Sequence, residues 1–433
     1  MTNMASLPPS KKERLFTKDF SLIMLGGMGT SFMNHLFAPA LALHIEAIGG
    51  LAVHVGFVAM AYSIASLLTR PISGVLSDKF GRTPQLVLGA FLCAVACILY
   101  GITIFIPALV AIRGLMGIGF GMHSTNAGAV AADVSPKSRL AEGIGIFGLG
   151  ATLAQAVGPG LAVFIIGAGA ISNFRNLFFL AAAMCAFSTI ANSCISYERK
   201  RKKTAKLAAQ TASESPAPQE INSAAENESA QELPKTFLGF EYAVFPIVAA
   251  LILIFSGAAG LFFYLPALAR DAEFGNPALF FVLSATGVFI SRMIIGRVVD
   301  RRGADFVLIP GAIVMILGYM LIPFVNSLTV LVLMGLPIGF ANGAINPTFN
   351  SLVFKRCTAA RRGTASGAFF SAIDIGFGLG PVVLGLLADA FDLRFVFWGG
   401  AALMTAGFTL YLFIASEKPF IKYFSKFSKI GLE

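Results

Sequence analysis

The chain has 433 residues, of which 56% are hydrophobic and only 12% charged, and it carries a net charge of +10. That little polar surface cannot clothe soluble domains of such a size, which excludes an ordinary globular protein and points to the bilayer as solvent. The five cysteines, Cys93, Cys97, Cys185, Cys194 and Cys357, contain no C-x-x-C pair and mostly fall in apolar runs, so neither a disulfide framework nor a zinc site is indicated.

The apolar residues gather in runs of about twenty or more, long enough for helices to cross about 30 Å of hydrocarbon. Unpaired backbone groups in lipid exclude open sheets, and the alternating pattern of an outer-membrane barrel is absent. In chain order, a polar tail over 1–18 precedes spans expected at 19–43, 51–76, 84–105, 107–132, 140–165 and 174–196. A linker over 198–239 follows, then spans at 240–267, 277–299, 305–325, 328–354, 363–388 and 394–415, and a basic tail over 416–433. The expected architecture is therefore an all-α membrane protein with twelve transmembrane helices in two six-helix bundles, 19–197 and 240–415. The first run is too long for a signal-peptide core and is followed at once by another span, so it stays as the first helix. The linker opens on Arg199-Lys-Arg-Lys-Lys203 and continues rich in Ala, Ser, Glu and Gln, too polar to fold alone, with room for a short interfacial helix over 203–210.

Lysine and arginine mark one side of this arrangement. Lys11, Lys12, Arg14 and Lys18 precede the first span, Lys79 and Arg82 follow the second, and Lys137 and Arg139 follow the fourth. The second half repeats the bias with Arg297, Arg301 and Arg302, with Lys355, Arg356, Arg361 and Arg362, and with the lysines of the tail. By the positive-inside rule both termini are cytoplasmic, and the surplus charge serves orientation and anionic headgroups. It is spread over several loops, not gathered on one surface for a polyanion, so nucleic acid is not an expected partner.

The halves are copies. Arg70, Gly74, Asp78 and Gly81 recur as Arg292, Gly296, Asp300 and Gly303, each pair separated by 222 positions. The same offset links Arg139 to Arg361, Gly145 to Gly367, Phe147 to Phe369 and Gly158-Pro159 to Gly380-Pro381. A duplicated six-helix unit is the parallel-repeat plan of many secondary transporters, with the solute site near midplane between halves that rock.

Gly74-Val-Leu-Ser-Asp78-Lys79-Phe-Gly81-Arg82 resembles the signature loop of the major facilitator superfamily, and Gly296-Arg-Val-Val-Asp300-Arg301-Arg302-Gly303 resembles its second copy. The resemblance covers nearly the whole chain. It implies a cytoplasmic gate in which Gly74, Asp78, Gly81, Arg82, Asp133, Asp300 and Arg301 latch the inner face in the outward-open state, with Asp133 as the partner of Arg82. A bare structural alternative is that these charges only end helices and fix topology. Arg113-Gly114-Leu-Met116-Gly117-Ile-Gly119 is similar to the superfamily's helix-4 motif, whose arginine is linked to proton coupling, although Met116 replaces the usual polar residue. The glycines around Gly145, with Gly158-Pro159 as a hinge, resemble the helix-5 motif of drug/proton antiporters, which implies export. Here the match is partial: Ala154 stands at the middle glycine and Ala162-Val163 replace the closing pair.

Asp374 falls eleven residues beyond Gly363, roughly 16 Å deep and near the midplane. Desolvation there favours the neutral acid, which suits a proton carrier; the alternative is a structural Asp hydrogen-bonded to a neighbouring helix. Its counterpart at the 222 offset is Thr152. Arg113 and His35 join Asp374 as proton-coupling candidates, and Asn34, His123, Asn126, Asn342 and Asn346 are candidates for the substrate cavity. For the histidines the competing reading is a satisfied packing residue.

No H-E-x-x-H, G-x-S-x-G or P-loop is present, so neither an enzyme nor an ATP-driven pump is expected, and no cofactor or metal. Coupling then comes from an ion gradient or from the solute itself, and Arg113 with Asp374 favours a proton gradient as the energy source. The expected function is antiport of small amphipathic or drug-like molecules by a monomer in the plasma membrane, or the inner membrane of a bacterium. A proton-coupled importer and a non-transporting sensor on the same fold are the alternatives.

Overall fold

The computed structural model describes residues 15–136, 139–167, 170–198, 236–237, 240–241, 245–274, 276–356 and 362–415. Twelve α-helices span them: α1 Lys18–Ala47, α2 Ala52–Phe80, α3 Arg82–Ile102, α4 Ile106–Val134, α5 Leu140–Ile166, α6 Ile171–Ser193, α7 Phe245–Asp271, α8 Ala278–Arg302, α9 Asp305–Leu321, α10 Leu328–Lys355, α11 Arg362–Ala390 and α12 Arg394–Leu410. Thr17 starts the series by accepting a hydrogen bond from the Phe20 amide, capping α1. Two-residue strands, Thr236–Phe237 and Phe240–Glu241, pair antiparallel just before α7. Most of the linker, including the stretch expected to form an interfacial helix, lies outside the described residues.

Eleven of the helices, α2 to α12, are long and apolar enough to cross a membrane. The twelfth, α1, spends positions on Thr30, Ser31, Asn34, His35 and His44, because it lies among other helices: eighteen of its thirty residues are buried. Elsewhere large apolar side chains face outward, such as Val75 and Phe164, each 72% exposed, as a lipid-facing belt requires. Prolines stand inside α1, α2, α5, α7, α9, α10 and α11, where neighbouring helices can satisfy the freed carbonyls.

The repeat governs packing as well as sequence. In the first half α2 packs on α4, α3 on α4 and α6, and α1 on α5 and α6. The second half has the matching set: α8 on α10, α9 on α10 and α12, and α7 on α11 and α12. The corner from α2 to α3 turns on Gly81 at φ 100°, and that from α8 to α9 on Gly303 at φ 86°. Both are backbone conformations that a side chain resists.

Helix contacts are close because small residues line them. A Cβ at Gly339 on α10 would overlap the Ser284 carbonyl oxygen of α8, a contact that exists because lipid gives helices no hydrophobic drive and leaves packing to do the work. Gly339→Ala is expected to destabilise the second half by about 1–3 kcal/mol through overpacking. A melting temperature in detergent equal to that of the wild type would show that α8 and α10 separate freely.

Two seams join the halves, α2 against α11 and α5 against α8, with α1 and α7 meeting between them. They are each other's image at the 222 offset. On α2 the Gly56 position sits against the Val382 backbone, and Gly385 of α11 against the Ala52 carbonyl. At Gly74 and Gly296, near the other ends of α2 and α8, no described atom lies within 4 Å of the Cβ position. The halves are thus in close backbone contact at the end away from the basic loops, and the described residues show no such contact at Gly74 and Gly296.

Candidate functional site

The closed end is sealed by backbone and side chain together. Both carboxylate oxygens of Asp389, at the end of α11, accept from the first amides of α2, Ala52 and Val53, at 2.8 Å each. A carboxylate there also meets the positive end of the helix dipole. Tyr264 of α7 donates to the carbonyls of Ala52 and Pro381 at 3.1 and 2.7 Å. Arg270 pairs with Glu46 across α7 and α1, and Asn276 donates to Val163 at the end of α5. None of these residues stands out in the sequence, because all but Tyr264 lie at or just beyond a helix end, where a polar residue is ordinary, and a tyrosine within a span is ordinary too. Asp389→Ala removes both caps of α2. It is expected to raise the labelling rate of a cysteine placed at Leu51 by several-fold, and an unchanged rate would show that the seal does not depend on this carboxylate.

Deeper in, each seam carries one polar arm. Arg70 Nε of α2 donates to Asp374 Oδ2 of α11 at 2.9 Å, with the two side chains 17% and 12% exposed. The Arg70 guanidinium also lies 5.7 Å from the Phe370 ring centre, and Ser66 sits beside the carboxylate. On the other seam Arg292 Nη1 of α8 donates to Thr152 Oγ1 of α5 at 2.5 Å, while that hydroxyl donates on to the Gly148 carbonyl. Asp374 and Thr152 each lie twelve residues into their helices, about 18 Å from the basic end. Sequence reading singles out Asp374 by depth and Arg70 by repetition, but it does not join them.

Arg113 lies within the first half at 3% exposure. Its guanidinium stands 4.7 Å from the Phe37 ring and 4.4 Å from the Tyr62 ring, and Nη1 contacts Met116 Sδ at 2.7 Å. Nε has no hydrogen-bond partner, and no described carboxylate pairs with the group. The odd Met116 of the helix-4 motif is therefore its neighbour. Tyr62 of α2 donates to Asn34 Oδ1 of α1 at 2.7 Å.

Two of the expected cavity residues are built into the first bundle. His123 is 1% exposed; Nδ1 is 3.1 Å from Thr30 Oγ1, whose own proton goes to the Gly27 carbonyl, and Asn192 Nδ2 donates to Nε2. That pairing holds a neutral imidazole with both nitrogens satisfied. Asn126, 2% exposed, donates to Ser73 Oγ and accepts from Ser77. Their hydrogen-bonding capacity is spent on α1, α2 and α6, so they brace the bundle where the sequence suggests a cavity wall. Asn342 and Asn346 are half-buried on α10, and His35 donates to the Ser31 carbonyl at 2.8 Å against Gly158 of the α5 hinge, beside Pro159. His44, which the sequence reading passes over, is buried among Tyr100, Phe174 and Phe178.

At the basic end Arg82 Nη1 meets Asp133 Oδ2 at 2.6 Å, and the Arg82 amide donates to Glu198 Oε1 at 2.5 Å. Tyr197 donates to both carboxylates; burial, then those charges, hold its hydroxyl protonated above the usual phenol range. The whole cluster lies within the first half. Arg301 is exposed, while the side chains of Asp78 and Asp300 and the surroundings of Gly145 lie outside the described residues. Cys93, Cys97 and Cys185 are buried free thiols, Cys93 Sγ lying 3.6 Å from the Met116 carbonyl oxygen, and the described residues form no metal-binding group. An apolar groove of about 830 Å³ lined by Met320, Trp398, Thr405 and Phe413 lies on α9 and α12, away from both seams.

The family model described as Major Facilitator Superfamily matches residues 23–381 and 272–429. Among curated relatives, an uncharacterized MFS-type transporter of Methanocaldococcus jannaschii is 25% identical over 81% of this chain and 86% of its own length. Multidrug resistance protein 2 of Bacillus subtilis is 22% identical over 91% of this chain and 95% of its own. A POT family transporter solved in complex with 5-aminolevulinic acid superimposes with a TM-score of 0.70 at 14% identity, covering 91% of this chain and 96% of that one.

Proposed function

Because the chain belongs to the Major Facilitator Superfamily, we propose that it exports small amphipathic molecules in exchange for protons, by alternating access across the plasma membrane. The observation that carries this reading is the Arg70–Asp374 ion pair between the halves. A carboxylate at this depth has three possible partners, namely Arg70, a proton and a cationic group on the solute. With Arg70 bound, the α2–α11 seam is held and the empty carrier stays open at the basic end. A proton on Asp374 removes the charge that holds Arg70, and the seam can part.

Antiport follows from that competition. Solute entering from the basic end displaces Arg70, the halves rock, and a proton taken up on the other side replaces the solute on Asp374. The return step releases the proton when Arg70 regains its partner. Export is supported by the helix-5 glycines and by likeness to a multidrug resistance protein. The basic loops support a cytoplasmic position for both termini. When the inner face closes, the second motif copy at Asp300 and Arg301 would meet the first half, whose own Arg82–Asp133 pair is already formed and would brace that rim. One chain holds both seams, so a monomer suffices.

The test is a solute screen in proteoliposomes under an imposed proton gradient, scored in both directions, with growth of a sensitive host on toxic amphipaths as the first pass. Gradient-dependent extrusion is the expected result. Uptake with the protons would reverse the direction, and binding without flux would make the protein a sensor.

A further inference from the structure

The two polar arms are the same arm twice. Arg70 and Arg292 are related by the 222 offset, and so are Asp374 and Thr152. The structure brings each arginine to the residue that the repeat assigns to it, at equal depth on the α2–α11 and α5–α8 seams. We propose that the fold builds two equivalent acid–arginine seats and leaves one of them neutral, so that Thr152 limits coupling to a single proton per cycle.

Chemistry at the second seat supports this. Thr152 offers Arg292 a hydrogen bond without a charge, and no described carboxylate pairs with that guanidinium. A hydroxyl does not titrate in the working range, so the α5–α8 arm is indifferent to pH. It keeps that seam in register while the other arm is being protonated. Among the described residues, these groups stand near the two seats. Facing Asp374, α2 brings Arg70 and Tyr62; α7, α10 and α12 carry ionisable residues only near their ends, apart from Tyr264. Facing Thr152, α8 brings Arg292, and α1, packed on α5, brings His35, which is engaged with Ser31.

The inference rests on Asp374 as the proton carrier and is tested apart from any solute. Spin labels at Ile104→Cys and Phe324→Cys, on the outer loops of the two halves, report opening of the sealed end in nanodiscs as pH falls. The labelled background replaces Cys194 and Cys357 with Ser. One linked proton changes the open-to-closed ratio about tenfold per pH unit, and two change it about a hundredfold. Wild type should follow the first slope, Thr152→Asp should approach the second, and Asp374→Thr should lose the response. The exchanged protein, Asp374→Thr with Thr152→Asp, should recover the single-proton slope. A Thr152→Asp slope equal to that of wild type overturns the proposal, as does a folded exchanged protein that stays unresponsive. If Asp374→Thr keeps the wild-type response, the carrier role of Asp374 fails instead, and the two failures are distinguishable.

Discussion

Asp374→Asn is expected to abolish transport driven by a pH gradient while leaving solute exchange across the membrane without a gradient. The substitution keeps the size of the side chain and offers Arg70 Nε, now 2.9 Å from Oδ2, a neutral acceptor like that of the protonated acid, so the protein still folds while the α2–α11 seam is held no more tightly than in the protonated state. What disappears is the exchange of partners. Asparagine cannot take the proton that releases Arg70, and it attracts a cationic solute less. Deleting the acceptor altogether, in Asp374→Ala, adds a stability loss of about 3–5 kcal/mol, because Arg70 is left charged and without a partner away from water. The two variants therefore separate coupling from folding: both lose gradient-driven flux, and only alanine lowers the melting temperature by much. Full gradient-driven flux in Asp374→Asn would reduce the residue to a structural role.

Arg113→Met is expected to move stability and transport in opposite directions. Removing an ion from water costs several kcal/mol, and here no carboxylate returns it. Two aromatic faces, each worth about 0.5–2 kcal/mol to a desolvated cation, and a sulfur contact are the compensation. A methionine of similar length packs against Phe37, Tyr62 and Met116 without that cost, so the variant should unfold about 1–3 kcal/mol later. Transport should fall, because an expensive buried charge within a span is retained for what it does. Thermal melts and flux on one reconstituted preparation decide it. A less stable variant would mean that the rings hold the guanidinium better than water does.

Much of this architecture is legible in the order of residues. The twelve expected spans fall within a few residues of the helices, because a run of apolar side chains in lipid has no other way to satisfy its backbone. The repeat is legible too, since Gly81 and Gly303 need positive φ and Gly158-Pro159 and Gly380-Pro381 hold one register. The partners of the polar residues are not. Which neighbour a residue meets depends on how a helix is turned about its axis, and the hydrophobic pattern that fixes this in water is weak when lipid and core are equally apolar. Hence Asp374 is found by depth, yet its bond to a residue 304 positions earlier is not. For the same reason His123 and Asn126 look like cavity residues until Thr30, Asn192, Ser73 and Ser77 are seen around them. Asp389 and Tyr264 escape notice because their role is to meet backbone of another helix, which leaves no mark on their own surroundings in the sequence.

The seal beyond the two arms is made of helix backbones in contact at Gly56 and Gly385, with carbonyls and amides already paired by Asp389 and Tyr264. Such a layer conducts poorly, so the membrane voltage falls mainly across it. In the proposed cycle Asp374, on the inner edge of that layer, would be at the electrical potential of the basic side. Once the layer opens and its counterpart closes, the same carboxyl is at the potential of the far side. On that cycle each proton carried would cross nearly the whole voltage without itself moving far, which is worth about 2.3 kcal/mol for every 100 mV. How electrogenic a turnover is would then follow from the net charge exchanged, and one proton taken for one singly charged cation would leave it electroneutral.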